Sequence, residues 1–194
     1  MGGAPPLIMI SFWPAFGLAY VATTLLASAV SHAVQFGSFR ELVRDHAIVA
    51  SRRAPLTAAL TMIGEATAGA AALVLLLRQP AAAATLLLFT ATGAMGVGFL
   101  FYIRRLLRRR HSGLGCGCTP LSSPLTPVSQ LPSAALAVVS CTGLAGLLVA
   151  GGMGATLASG GSLAVLAPLW GVTLAVLVML APASVPSTAP DRRR

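Results

Sequence analysis

The sequence predicts an all-α protein: a polytopic transmembrane bundle of about five spans, with one amphipathic helix lying at the membrane surface. Three observations predict it. Of 194 residues, 56% are hydrophobic and only 9% are charged, whereas a soluble domain carries about 25% charged residues. The apolar residues gather into five runs, at 7–33, 55–77, 81–103, 131–153 and 162–181, each near or above the roughly 20 residues that cross a hydrocarbon core. Finally, residues 38–53 carry a regular apolar stripe opposite arginines, the pattern of a helix lying in the interface. The bundle is expected over residues 1–182, followed by a disordered basic tail at 183–194.

The first run follows Met1 to Pro6, a stretch without Lys or Arg. It lacks the positive n-region of a cleavable signal peptide and reads as a retained span. In the segment that follows, Ser38 and Glu41 have capping-box spacing, and Phe39, Leu42, Val43 and Ala50 recur at helical intervals opposite Arg40, Arg44 and Arg53. Spans two and three are joined by Arg78-Gln79-Pro80, a connection short enough to require an antiparallel hairpin. Gly93, Gly96 and Gly98 in span three and Gly143 and Gly146 in span four are residues that let membrane helices approach closely. Between those two spans lies the only long polar interruption, 104–130, Pro/Ser-rich in its second half.

Thirteen basic against four acidic residues give a formal charge of +9. No stacking aromatics are interleaved with the arginines, as a single-strand binder needs, so no nucleic-acid partner is implied. The arginines instead orient the chain and meet the lipid bilayer. Arg40, Arg44, Arg52 and Arg53 follow span one, five arginines from Arg104 to Arg110 follow span three, and Arg192, Arg193 and Arg194 close the tail; the alternate side holds only Arg78. By the positive-inside rule this is a multi-pass cell-membrane protein with its N-terminus outside and its C-terminus cytoplasmic.

Cys116 and Cys118 form a Cys-Gly-Cys pair in the polar interruption. A disulfide across one residue closes a very small ring, which is strained and comparatively easy to reduce. The upstream arginines favour the thiolate, the nucleophilic form. The other reading is a reduced, lipidated pair at a membrane surface, and spacing alone leaves both open. Glu65 lies near the middle of span two, where a carboxylate is by default a functional-site residue; otherwise it is a protonated packing device. Cys141 in span four falls at a similar depth, about 15 Å along its helix, and a lone membrane Cys is more often a small hydrophobe than a reactant. His111 with Cys116 and Cys118 lacks an evident fourth ligand for a closed zinc site, so no metal is expected. Trp13 and Tyr102 read as interfacial anchors, Trp170 has no assigned role, and no phosphate-binding loop, metalloprotease motif or Ser-His-Asp set is present.

These features together resemble the MauE family of methylamine utilisation membrane proteins, related to DoxX-like helical proteins. The resemblance rests on Ser31-His32 to Phe39 and Asp45-His46 after span one, Gly64-Glu65 to Gly69 in span two, and Cys116-Gly117-Cys118 after span three. The chain departs from the family in having His32 where Lys is common and Thr119-Pro120 where Phe-Gly follows the second Cys. The resemblance implies thiol–disulfide redox beside an extracytoplasmic thioredoxin-like partner, with Cys116 and Cys118 as the redox pair and Glu65 as a buried carboxylate of the bundle. If the loop folds back into the bundle, Cys141 is placed to act as a resolving thiol and Glu65 as a proton acceptor. No cofactor is named by the sequence; a quinone is compatible with such chemistry. The charge count opposes one part of this reading, since it puts the thiol loop on the cytoplasmic side while disulfide formation happens outside. The alternative from another class is a non-catalytic accessory subunit of a larger membrane complex, in which Cys-Gly-Cys is only a turn. A transporter is disfavoured, because a single acidic residue lies within a span and no broken-helix pair is evident.

Overall fold

The computed structural model describes residues 7–78, 82–108, 127–149 and 162–180. Among these residues there are six α-helices and no strands: α1 Leu7–Val34, α2 Phe36–Asp45, α3 Ala54–Arg78, α4 Ala82–Arg108, α5 Leu131–Val149 and α6 Ser162–Leu180, with short 3-10 turns at Ser51–Arg53 and Pro127–Gln130. Four of them, α1, α3, α4 and α5, are long and apolar enough to cross a membrane, and α6 contributes a shorter apolar helix. The expected basic tail and the Cys-Gly-Cys pair lie outside the described residues.

The helix α1 is the hub. It packs against α3, α5 and α6, while α4 packs chiefly on α5. The side chains of Leu18, Tyr20 and Val21 on α1 are fully buried, which is why this helix tolerates so little polar surface over its first half. By contrast α3 turns Leu56, Leu60, Ile63, Leu73 and Leu77 outward, a face suited to lipid tails rather than water. The short Arg78 to Pro80 connection joins two helices that touch only sparsely; α3 takes α1, not α4, as its main partner.

Close approach depends on two glycines. A Cβ at Gly96 would stand 2.8 Å from the backbone nitrogen of Ala137 and 3.0 Å from the carbonyl oxygen of Ser133, so α4 and α5 meet backbone to backbone there. A Cβ at Gly171 would stand 2.5 Å from the carbonyl oxygen of Phe16, which seats α6 against α1. Gly98, in the same small-residue stretch as Gly96, has nothing within 4 Å of such an atom. The α4–α5 seam also carries a buried hydrogen bond between the hydroxyls of Thr92 and Ser140 at 3.0 Å, a contact worth about 0.6 kcal/mol on average between membrane helices.

The surface helix is present but shorter than the expected 38–53. It begins at Phe36, so Ser38 lies inside it and the N-cap position falls to Gln35, which makes no side-chain capping bond. It ends at Asp45 because the chain turns through Ala47 at φ 49°, with the Ala47 amide donating to the Arg44 carbonyl at 3.0 Å, a left-handed ending of the kind glycine usually provides. The apolar stripe does point inward. Phe36, Phe39 and Val43 pack with Ala54 and Ala58 at the start of α3, while Arg40 and Arg44 are exposed.

Gly96→Ala should destabilise the bundle by about 1–3 kcal/mol, because the atoms it meets are backbone and cannot turn aside. Gly98→Ala should leave stability unchanged. Detergent-solubilised unfolding of the two variants measures the difference, and equal stability would contradict the close α4–α5 contact.

Candidate functional site

The polar residues of the bundle are not scattered. On α1, Tyr20, Thr24, Ser28 and His32 recur every fourth residue, and on α3 Thr57, Thr61 and Glu65 do the same. Four-residue spacing keeps side chains on one face of a helix, and these two faces are turned toward each other across the α1–α3 contact. Between them lies a cavity of about 200 Å³. Its walls come from the C-terminal halves of α1 and α4 and the N-terminal halves of α3 and α5, and α2 with Ile48 and Val49 roofs it. Most of the lining is apolar, supplied by residues such as Leu25, Phe99 and Leu136.

Two polar groupings interrupt that lining. On the α1–α3 side, Glu65 and His32 are buried, 3% and 5% exposed, with His32 Nε2 at 3.5 Å from Glu65 Oε2 and sharing a hydrogen bond with the Ser28 hydroxyl at 3.3 Å. The His32 ring is stacked on Phe39 of α2, centroids 3.8 Å apart and 12° from parallel, so the surface helix fixes the imidazole from above. Among the described residues Glu65 Oε2 receives no hydrogen bond. Such a group deep in a bundle is costly unless it is paired or serves a ligand. On the other side, His46 Nδ1 and the Tyr102 hydroxyl share a hydrogen bond at 2.5 Å. This gives Tyr102 a place in the cavity wall, where sequence reasoning assigned it to the membrane interface.

The residues expected to carry chemistry fare differently. Glu65 is part of the cavity lining. Cys141 is exposed on the outer side of α5 and is not part of that lining, so the structure does not bring it together with Glu65. Cys116 and Cys118 lie outside the described residues, but the segments that flank their loop do not: α4 ends at Arg108 and a 3-10 turn begins at Pro127, on the halves of α4 and α5 that wall the cavity. His32, His46, Tyr102 and the threonines were missed as site residues. The signal that would have found His32 and the threonines is the double four-residue polar spacing on α1 and α3, invisible to a search for one charged residue per span; His46 and Tyr102 belong to neither pattern and meet only through tertiary packing. Among the described residues no three His, Cys, Asp or Glu side chains converge as metal ligands.

A multi-pass helical membrane protein with a buried carboxyl–imidazole pair in an apolar cavity is the class this geometry defines. The model of the family described as methylamine utilisation protein MauE matches residues 9–153, and the chain belongs to that family. No curated protein and no solved structure matches it.

The Glu65–His32 contact should be energetically coupled. In a double-mutant cycle of Glu65→Gln and His32→Gln, unfolding in detergent should show an interaction energy of about 1 kcal/mol or more, within the range for contacting residues. Strictly additive losses would mean that the two side chains are merely adjacent.

Proposed function

We propose that the protein is a membrane thiol–disulfide redox protein in which Cys116 and Cys118 exchange electrons with a thioredoxin-like partner, and the Glu65–His32 cavity serves the same reaction. The observation that carries the reading is the coincidence of two features: the flanks of the Cys-Gly-Cys loop stand at the same end of the bundle as the roof of the cavity that holds the buried acid–base pair. From Arg108 to Cys116 is eight residues, which extended span at most about 29 Å, ample to bring the thiols to the roof of the cavity. In the exchange, a thiolate of the partner attacks the Cys116–Cys118 disulfide and a mixed disulfide forms. The partner's second thiol then resolves it, leaving the partner oxidised and both cysteines reduced. Two electrons and two protons thus arrive on the pair. The strained small ring favours this direction, and the arginines at the end of α4 favour the leaving thiolate.

The side on which this happens follows from the charges. Among the described residues Arg40, Arg44, Arg52, Arg53, Arg104, Arg105 and Arg108 share the cavity end and Arg78 alone stands at the other, so the positive-inside rule favours a cytoplasmic cavity end. An extracytoplasmic partner requires the opposite. Labelling separates the two: in a background without other cysteines, Gly37→Cys, exposed with open space around it, should resist a membrane-impermeant maleimide in intact cells and react after permeabilisation. Reaction in intact cells would put the thiols outside and restore the extracytoplasmic partner.

In Cys118→Ala, Cys116 should accumulate as a mixed disulfide with a thiol protein, and Cys141→Ser should not diminish it. Cys116→Ser with Cys118→Ser should insert and accumulate normally but abolish exchange. Full retention of function in that double variant would leave the accessory-subunit reading in its place.

A further inference from the structure

We infer that the cavity between α1, α3, α4 and α5 is a binding site for the ring of a lipid-borne quinone. The inference deepens the thiol reading and rests on it for the ligand's purpose, while the binding site itself stands on geometry. An apolar cavity of about 150 Å³ admits a benzene ring, and this one, about 200 Å³, has room for a single substituted ring. Leu25, Phe99 and Leu136 supply apolar wall, as a ring's faces require. Besides the hydroxyls of Thr24, Ser28, Thr57, Thr61 and Ser133, two polar groupings are placed to meet a ring's oxygens. Glu65 Oε2, on a side chain 3% exposed, has no hydrogen-bond donor among the described residues and accepts the O–H of the reduced ring. His46 and Tyr102, joined to each other, present a second polar edge from the roof and from α4. An acyl chain would fill the volume but offer Glu65 Oε2 no donor.

The chemistry balances. Cys116 and Cys118, reduced by the partner, lose two electrons and two protons and close their S–S bond; the quinone takes both, its two carbonyls becoming the two hydroxyls of the quinol. Glu65 and His32 form a buried acid–base pair beside the ring, through which a proton reaches or leaves one ring oxygen.

The test uses the full-length protein in phosphatidylcholine nanodiscs with an azidoquinone photoprobe. Labelling should saturate at one probe per chain, map to peptides containing Thr57 to Glu65 or Phe99 to Tyr102, and be competed by decylubiquinone but not by oleate. Thr61→Phe and, as a second cavity-filling variant, Ser133→Leu should abolish it with helix content and monodispersity unchanged. Glu65→Gln should weaken competition by decylubiquinol, the reduced form whose O–H Glu65 accepts, about tenfold, the loss of one charge-assisted hydrogen bond. Labelling that is not competed by decylubiquinone, that is competed equally by oleate, or that persists in a folded cavity-filling variant overturns the inference. Cys116→Ser with Cys118→Ser should leave labelling intact, so the two readings fail separately. Binding with neither partner exchange nor oxidation of the reduced pair by decylubiquinone sinks the thiol reading and keeps the site; partner exchange without binding sinks the site and keeps the thiol reading.

Discussion

The burial of one carboxyl group governs the arrangement of this bundle. Glu65 sits near the middle of α3, a helix whose other large side chains mostly face outward, and α1 meets it with Ser28 and His32. An acid in hydrocarbon is tolerated only where protein supplies partners, so α3 must present that face to α1. From this the rest follows: α2 folds across the end of the pair and stacks Phe39 on His32, and the loop after α2 brings His46 to Tyr102. The surface helix is therefore more than a lipid anchor, since its apolar stripe is part of the site's wall.

The packing leaves a void where the polar faces of α1 and α3 meet, and it does so beside a tightly closed region. Backbone contact at Gly96 draws α4 onto α5, and Phe89, buried to 1% exposure, fills the space beside Gly17 and Gly143 deeper in the bundle. The contrast matters for function. Filled space in one half and a lined cavity in the other is the pattern of a scaffold that holds a site, consistent with chemistry at one membrane face.

Much of the fold was legible because membrane solvation is a strong constraint. Apolar length alone placed α1, α3 and α6 within a residue of their described bounds, whereas α4 runs to Arg108, five residues past the expected end at 103, because its last turns carry arginines. The surface helix was legible in its stripe but not in its end, because an alanine at φ 49° gives no sequence signal where a glycine would. Glu65 was legible as an isolated acid among apolar neighbours. Its setting was not: that α3 would pair with α1 instead of its hairpin neighbour α4 is a matter of tertiary packing, and His32, noted as part of the family resemblance and as a departure from the usual Lys, was not read as the partner of the acid. Cys141 shared a depth with Glu65, but depth along a helix says nothing of the side it faces, and its thiol turns outward.

The central claim is that the thiol pair and the Glu65 cavity form one site. Disulfide mapping tests it most directly. In a Cys141→Ser background with only one of Cys116 and Cys118 retained, Val49→Cys, in the roof of the cavity, should form an intramolecular disulfide with the remaining thiol under mild oxidation in native membranes. Leu77→Cys, at the opposite end of α3, should not. A retained thiol that never couples to position 49, in either single-cysteine arrangement, would contradict the account.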